Sequence, residues 1–497
     1  RILCGLRRPS DHSCEGGQLD RPNVLLICAD TWSGGLIGAL GHPTVLTPTL
    51  DQLVANGIAF TNATSTTPMC IPARREIMTG VSARTHGDRA FNERGVMPPL
   101  PTLAQTFRDN GYQAHAVGKM HAYPQRDRLG FDDIQIDEEG RHHLGMDKDD
   151  YEMFLQEHGH AGQEFVHGSA NGDFEPRPWH LPERLHRTNW TVFEMSKFIA
   201  RRDPSKPSFW YMSFSAPHPP LTPLSGYMDM YLSSDIDEPV VGDWARRPEE
   251  WPHALRNRPH GIDSYSPNAT RMARAAYYGL ITHVDHQIRL IIGLLKEEGL
   301  LDNTIVMFTT DHGEMLGNHG LWGKGNLHQL SINIPMILMP AADRKDLYPG
   351  RLDERLAVQA DIMPTLLELA NIPTPDHIEG KSLVGDDTRE HVYGEIWEDD
   401  NASRMVRDRR FKLIYFPVGN RSQIFDLLED PLEMNDLSDD PSSSAEKARL
   451  TDLLTSQLYG ADLEWIKDGS LVGLPDAEAV PHPNPKRGFG NPRGWRF

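Results

Sequence analysis

Pro68-Met69-Cys70-Ile71-Pro72-Ala73-Arg74-Arg75-Glu76-Ile77-Met78-Thr79-Gly80 is the stretch around which this 497-residue chain is organised. Proline suits the first turn of a helix, where a missing N–H leaves nothing unsatisfied, and glycine suits a helix exit. Pro72 and Gly80 therefore predict a helix with Cys70 at or just before its N-terminus. Arg74, four positions on, projects from the same face. Cys70 would feel the exposed N–H groups and the positive dipole end of the helix. A nucleophile inside an anion site is one reading; a half-buried cysteine at a helix start is the other, and the rest of the chain decides between them.

Asn23-Val24-Leu25-Leu26-Ile27-Cys28-Ala29-Asp30 is a continuous apolar run ending in an acid, as in a buried strand of a parallel sheet. Thr304 to Thr310 repeats the arrangement and delivers Asp311-His312-Gly313. Between them, Ala114 to His121 alternates like a strand, which predicts Lys119 and His121 on one face. Phe209 to Ala216 is a further apolar run, closed by the rigid turn Pro217-His218-Pro219-Pro220. Helical spacings alternate with these runs, at Leu103 and Phe107, and at Leu280, Val284, Ile288, Ile291 and Leu295. Strands alternating with helices predict an α/β architecture, whose ligands bind beyond the carboxyl ends of the strands.

Four separated motifs now stand in order: Cys70-x-Pro72-x-Arg74 with Met78-Thr79-Gly80; Gly118-Lys119-x-His121; Pro217-His218; and Asp311-His312-Gly313 followed by Gly323-Lys324-Gly325. From about Pro22 to Leu437 the chain resembles the type I sulfatases of the alkaline phosphatase superfamily. The resemblance implies that a formylglycine-generating enzyme oxidises Cys70 to formylglycine, whose hydrate attacks sulfur. It implies that Asp30, Asp311, His312 and the modified Cys70 bind one divalent cation. Carboxylate ligands suit Ca²⁺ first and Mg²⁺ as an alternative, and the nitrogen of His312 admits Mn²⁺. The family often has a second acid directly after the first. Here that place is Thr31, a weaker neutral ligand, so the site has one fewer negative charge or fills the place with water.

By the same resemblance, Arg74 and the metal favour the alkoxide of the nucleophile. Lys119 and Lys324 clamp sulfate oxygens. His218 protonates the leaving alcohol with help from Lys324, and His121 takes the proton from the remaining hydroxyl so that the hemiacetal collapses. Asn92 lies where relatives place a substrate-binding polar group, with a turn as its alternative duty. His86 is a weaker candidate.

The fold expected is a large mixed, mostly parallel sheet flanked by helices, with a smaller C-terminal α+β domain containing an antiparallel sheet. Strands of that smaller domain are predicted at Met405–Arg407, Phe411–Phe416 and Gln423–Leu427. The expected divisions are a leader or processing remnant over 1–20, a catalytic domain over 21–380, the smaller domain over 381–470 and a basic tail over 471–497. Within the catalytic domain, 140–190 reads as a long insertion that shapes substrate choice.

Seventy acidic against fifty basic residues give a formal net charge of −20. That balance argues against nucleic acid, so the cations that handle an anionic ester must be gathered locally, at Arg74, Lys119 and Lys324. No run approaches the ~20 apolar residues of a membrane helix. Cys4, Cys14, Cys28 and Cys70 all fall within the first seventy residues and make no disulfide framework. No signal peptide is in view, and a cytoplasmic location is placed slightly ahead of a periplasmic one. The tail from Pro481 carries Lys486, Arg487, Arg493 and Arg496 without an acid, together with Phe489, Trp495 and Phe497. It is expected to dock on the acidic body and help hold a homo-oligomer.

The leading function is hydrolysis of a sulfate monoester, of a sulfated sugar or of a small aryl or alkyl alcohol. A phosphonate monoester or phosphodiester hydrolase is the alternative, and an inactive sulfatase-like binding protein follows if Cys70 stays unmodified.

Overall fold

The computed structural model describes residues 21–169, 171–257, 265–344, 346–347 and 349–478. The expected leader and the docking segment 481–497 lie outside them.

Strand β1 (Asn23–Asp30) is buried along its whole length. On one side it pairs in parallel with β5 (Ser208–Pro217), which is followed by β3 (Gln113–Gly118) and β4 (Asp133–Ile136). On the other side come β6 (Thr304–Thr310), β7 (Met336–Met339), β2 (Ile58–Thr64) and β8 (Arg351–Val358). In this eight-stranded sheet β7 alone runs against its neighbours, so the sheet is mixed and mostly parallel, as expected.

The period of two along β1 explains its unbroken apolar composition. Leu25, Ile27 and Ala29 enter the core on one face of the sheet, and Val24, Leu26 and Cys28 enter the core on the other. Helices cover both faces, so both sets of side chains leave water. The first face packs on the helix Pro267–Glu297, whose Leu280, Val284, Ile288, Ile291 and Leu295 are all buried. That helix begins well before the predicted pattern, at Ser266, whose side chain caps the N–H of Ala269 ahead of Pro267. The second face packs on the helix Cys70–Thr79 and on Leu103–Asp109. Residues 140–190 contain the helix Asp150–Glu157, and their Tyr151, Leu155, Phe174 and Leu185 join the core of the first face.

One local expectation is corrected. The alternation read from Ala114 to His121 stops at Gly118, where φ is 105° and an added Cβ would lie 1.7 Å from the Ser213 carbonyl oxygen. His121 is itself left-handed, with φ 55°. Lys119 and His121 are therefore placed by a turn at the strand end and not by a shared strand face.

A four-stranded antiparallel sheet lies near the C-terminus: β9 (Val392–Ile396), β10 (Ser403–Arg407), β11 (Phe411–Phe416) and β12 (Arg421–Asp426), in the order β12-β11-β10-β9. Three of these strands match the predicted runs, and β9 adds a fourth. The Glu395 N–H donates to the Thr66 carbonyl at 2.8 Å and the Trp397 N–H to that of Arg89 at 2.8 Å, so β9 is stitched to the segments flanking the Cys70 helix. Among the described residues no helix is long and apolar enough to cross a membrane.

Candidate active site

Four strands adjacent in the sheet, β3, β5, β1 and β6, point their carboxyl ends the same way and carry the predicted polar residues there. Asp30 ends β1, Asp311 follows β6, Lys119 follows β3 and His218 follows β5. The helix Cys70–Thr79 delivers Cys70 as its first residue and Gly80 as a left-handed C-cap. One end of the sheet thus receives groups that are far apart in sequence.

Asp30, Cys70, Asp311 and His312 are all buried, and their ligand atoms lie within 4.8 Å of one another. The Cys70 Sγ is 3.2 Å from His312 Nε2 and 3.9 Å from Asp30 Oδ1. His312 Nε2 lies 3.9 Å from Asp30 Oδ1 and 3.7 Å from Asp311 Oδ1. Burial lowers the pKa of His312, and its Nδ1 sits 3.0 Å from the Gly313 carbonyl. A proton assigned to Nδ1 leaves the Nε2 lone pair facing the cluster. The outer oxygens of both acids belong to Arg74, whose Nη2 is 3.2 Å from Asp30 Oδ2 and whose Nε is 3.1 Å from Asp311 Oδ2. Two inward carboxylate oxygens and one neutral imidazole nitrogen form a donor set that fits a divalent cation.

Thr31 touches both acids as a donor. Its Oγ1 donates to Asp30 Oδ1 at 2.8 Å and its N–H to Asp311 Oδ1 at 3.0 Å. Its backbone is left-handed, with φ 66°, and its carbonyl accepts from Tyr277 Oη at 2.7 Å. Arg74 is engaged at all three nitrogens: Nη1 also donates to the Lys119 carbonyl at 2.9 Å and to Ser213 Oγ at 2.8 Å. Its charge acts on the cluster through the two acids it bridges.

Lys119 Nζ lies 2.5 Å from Asp30 Oδ2 and 2.9 Å from Glu139 Oε2. Burial works against the ammonium, but Asp30 and Glu139 outweigh it and raise the Lys119 pKa. Burial likewise works to raise the Asp30 carboxyl, yet Lys119, His218 and Arg74 hold it well below the usual carboxylate range. Glu139, a buried residue with φ 54°, also reaches His218, with Oε1 3.8 Å from Nδ1. His218 Nε2 makes a hydrogen bond with Lys324 Nζ. His121 Nε2 lies 2.5 Å from Arg141 Nη1, and burial together with the Arg141 and Lys119 charges pushes its pKa well below the ordinary value. Its Nδ1 has no partner among the described residues.

Glu139 and Arg141 escaped the sequence reading. They stand in Glu138-Glu139-Gly140-Arg141, where no period or motif marks them; only the density of charge beside a glycine was visible. Asn92 lies on an exposed turn, its carbonyl accepting from the Gly95 N–H at 3.0 Å and its Oδ1 from the Arg94 N–H at 3.3 Å. His86 is buried, with Nδ1 accepting from the Asp88 N–H at 3.3 Å. Beside His218 and Lys324 lies a cavity of about 340 Å³ whose walls include Phe174, Trp322 and Trp397.

With this geometry in place, comparison with known proteins gives a consistent result. Residues 22–372 match the profile of the family described as Sulfatase. Residues 317–459 match the family described as N-sulphoglucosamine sulphohydrolase, C-terminal. An arylsulfatase of Clostridium perfringens is 34% identical over 479 residues, covering 92% of this chain and 98% of the relative. The multifunctional alkaline phosphatase superfamily protein PehA of Trinickia caryophylli is 26% identical over 498 residues, covering 86% and 93%. The crystal structure of the phosphonate monoester hydrolase of Agrobacterium radiobacter superposes with a TM-score of 0.76 at 26% identity, covering 88% of this chain and 95% of that one.

Proposed function

The chain belongs to the sulfatase family, and on that premise we propose that it hydrolyses a sulfate monoester at Cys70 converted to formylglycine, beside one divalent cation held by Asp30, Asp311 and His312. The observation that carries this reading is the gathering of four buried ligand atoms within 4.8 Å, with Cys70 among them at a helix N-terminus. Ca²⁺ is the first choice of ion, with Mg²⁺ or Mn²⁺ as alternatives. When bound, these groups supply a hydrated aldehyde as nucleophile and a Lewis acid for the sulfate oxygens.

The chain's own residues do the rest. Arg74 fixes Asp30 and Asp311 with their inner oxygens turned to one point. Lys119, kept cationic between Asp30 and Glu139, and Lys324 place positive charge where negative charge gathers on the sulfate oxygens in the transition state. His218, beside Lys324 at the cavity, delivers a proton to the leaving alcohol. His121, held neutral by burial and by the Arg141 and Lys119 charges, is the base for the remaining hydroxyl; Arg141 donates to its Nε2, so the proton is taken there as Arg141 moves off that nitrogen. The near-complete burial of Cys70 (2% exposed) keeps bulk water from these transfers.

The test is protein co-expressed with the formylglycine-generating enzyme. The peptide containing Cys70 should show the aldehyde mass, and Cys70→Ala should abolish turnover of sulfate esters while leaving the folded spectrum unchanged. An active enzyme whose Cys70 peptide remains entirely thiol would remove the reading. A second reading, phosphonate monoester hydrolysis, is favoured by the TM-score of 0.76 to a phosphonate monoester hydrolase. Both ester classes carry one negative charge, so turnover of phenyl phosphonate monoester beside sulfate esters ranks them.

A further inference from the structure

The cavity beside His218 and Lys324 contains an acceptor that the reaction does not use. Glu314 lines it and is 2% exposed. Its Oε1 accepts from the N–H groups of Leu316 at 3.0 Å and Gly323 at 2.5 Å, while its Oε2 has no hydrogen-bond partner among the described residues. A buried carboxylate oxygen without a donor is costly, so a ligand group that donates to it gains a charge-assisted bond. The walls are aromatic. Phe174 and Trp322 pack with centroids 4.9 Å apart, and Trp397 stands at the lip, left-handed at φ 63°, with its indole N–H donating to the Gly325 carbonyl at 3.2 Å. The rim is polar: Asn257 Nδ2 donates to Asn401 Oδ1 at 2.9 Å, beside Asp399.

Resting on the sulfatase reading above, we infer that this cavity is the alcohol subsite and that it takes a monosaccharide ring, whose apolar face lies on the aromatic walls while a hydroxyl donates to Glu314 Oε2. A volume of about 340 Å³ is that of a small-molecule pocket and not of a long groove. A plain aryl alcohol would match the walls but leave Glu314 unpaired. A cationic amino alcohol would match the acids but bring its charge toward Lys324, which also lines the cavity. A hydroxylated ring meets walls, rim and buried acceptor together. The rim also gives the turn between β9 and β10 a part in substrate choice, since Trp397, Asp399 and Asn401 all come from it.

The experiment compares the matured, metal-loaded enzyme with Glu314→Gln and Trp397→Ala. The substrates are glucose, galactose and N-acetylglucosamine 6-sulfates, 4-nitrophenyl sulfate and 2-aminoethyl sulfate. Glu314→Gln keeps an oxygen for the two backbone donors but loses the charged acceptor. It should lower kcat/KM for the preferred sugar sulfate about tenfold, chiefly through KM, and leave 4-nitrophenyl sulfate within about threefold. Trp397→Ala should raise KM for the sugar in the same selective way. Equal losses on sugar and aryl esters would overturn the proposal, as would turnover of the aryl or aminoethyl ester with no sugar sulfate accepted. Binding of the sugar sulfates to Cys70→Ala protein, read by tryptophan fluorescence, separates this proposal from the reaction beneath it. Binding with no sulfate ester turned over by the matured enzyme retires the reaction and supports the pocket; absence of binding retires the pocket.

Discussion

At the residue scale, Arg74 lets two fully buried carboxylates, Asp30 and Asp311, coexist in one site. Its planar fork reaches an outer oxygen of each, which a lysine's single ammonium could not do from one position. The inner oxygens are then free to face His312 and Cys70. Asp311→Asn removes one negative charge from the proposed cation site and one of the two carboxylates that Arg74 bridges. Metal content by elemental analysis and turnover should fall together, the affinity by more than about tenfold. Turnover lost at full metal occupancy would give Asp311 a different role. Glu139 offers a second test. Glu139→Gln takes away one of the two acids holding Lys119 and the carboxylate facing His218. Turnover should fall and its pH profile should shift, while metal content should stay unchanged, which separates Glu139 from the ligands. An unaltered profile would make Glu139 a packing residue.

At the element scale, the helix Cys70–Thr79 is buried along its entire length, which is unusual for a helix carrying two arginines and a glutamate. Each charged side chain has a partner: Arg74 the two acids, Arg75 the carboxylate of Asp88 at 3.3 Å, and Glu76 the hydroxyl of Thr66 at 2.5 Å and the N–H of Ala360 at 3.1 Å. Glu76 has no ion pair among the described residues, and burial pushes its carboxyl up to about 7. A carboxyl whose folded pKa lies above its unfolded value of about 4.5 binds more protons folded than unfolded between those limits. Stability attributable to it therefore falls as pH rises from about 4.5 to 7. Glu76→Gln should remove that dependence. The variant should melt higher than the parent at pH 8, by an amount of order 3 kcal/mol at most, and should lose its advantage at pH 5. An equal difference between variant and parent at the two pH values would show that Glu76 titrates alike in the folded and unfolded states.

At the scale of the whole molecule, the C-terminal sheet is fastened to the active-site side of the fold through buried charge. Asp462 receives two guanidinium forks: Arg89 at 2.9 and 3.1 Å, and Arg404 of β10 at 2.6 and 2.9 Å. Asp462→Ala would leave Arg404 with no carboxylate among these partners and Arg89 leaning on Glu395 and Glu398 alone. Breaking a buried pair from one side costs about 3–5 kcal/mol. Denaturant unfolding should show that loss, and turnover should fall with it because Trp397 and the cavity lip depend on this junction. A loss below about 1 kcal/mol would mean that water reaches the arginines and that the junction is held by apolar packing.

By itself the sequence determined the α/β layering, because unbroken apolar runs need cover on both faces of a sheet, and it singled out residues that the fold gathers at one end of the sheet, because Cys70, Asp30, Asp311, His312, Lys119, His218 and Lys324 stand in recognisable local motifs at strand and helix ends. The tertiary structure alone decided how those groups are paired. That Arg74 bridges two acids, that Thr31 donates to distant Asp311 as well as to its neighbour Asp30, and that Glu139 and Arg141 reach Lys119, His218 and His121 are contacts set by left-handed turns at Thr31, His121 and Glu139 that no periodicity announces. Strand and helix signals repeat over several residues and so survive in the chain as a pattern. A single residue turned the other way at the end of a strand leaves no pattern, and the packing around it decides where its side chain goes.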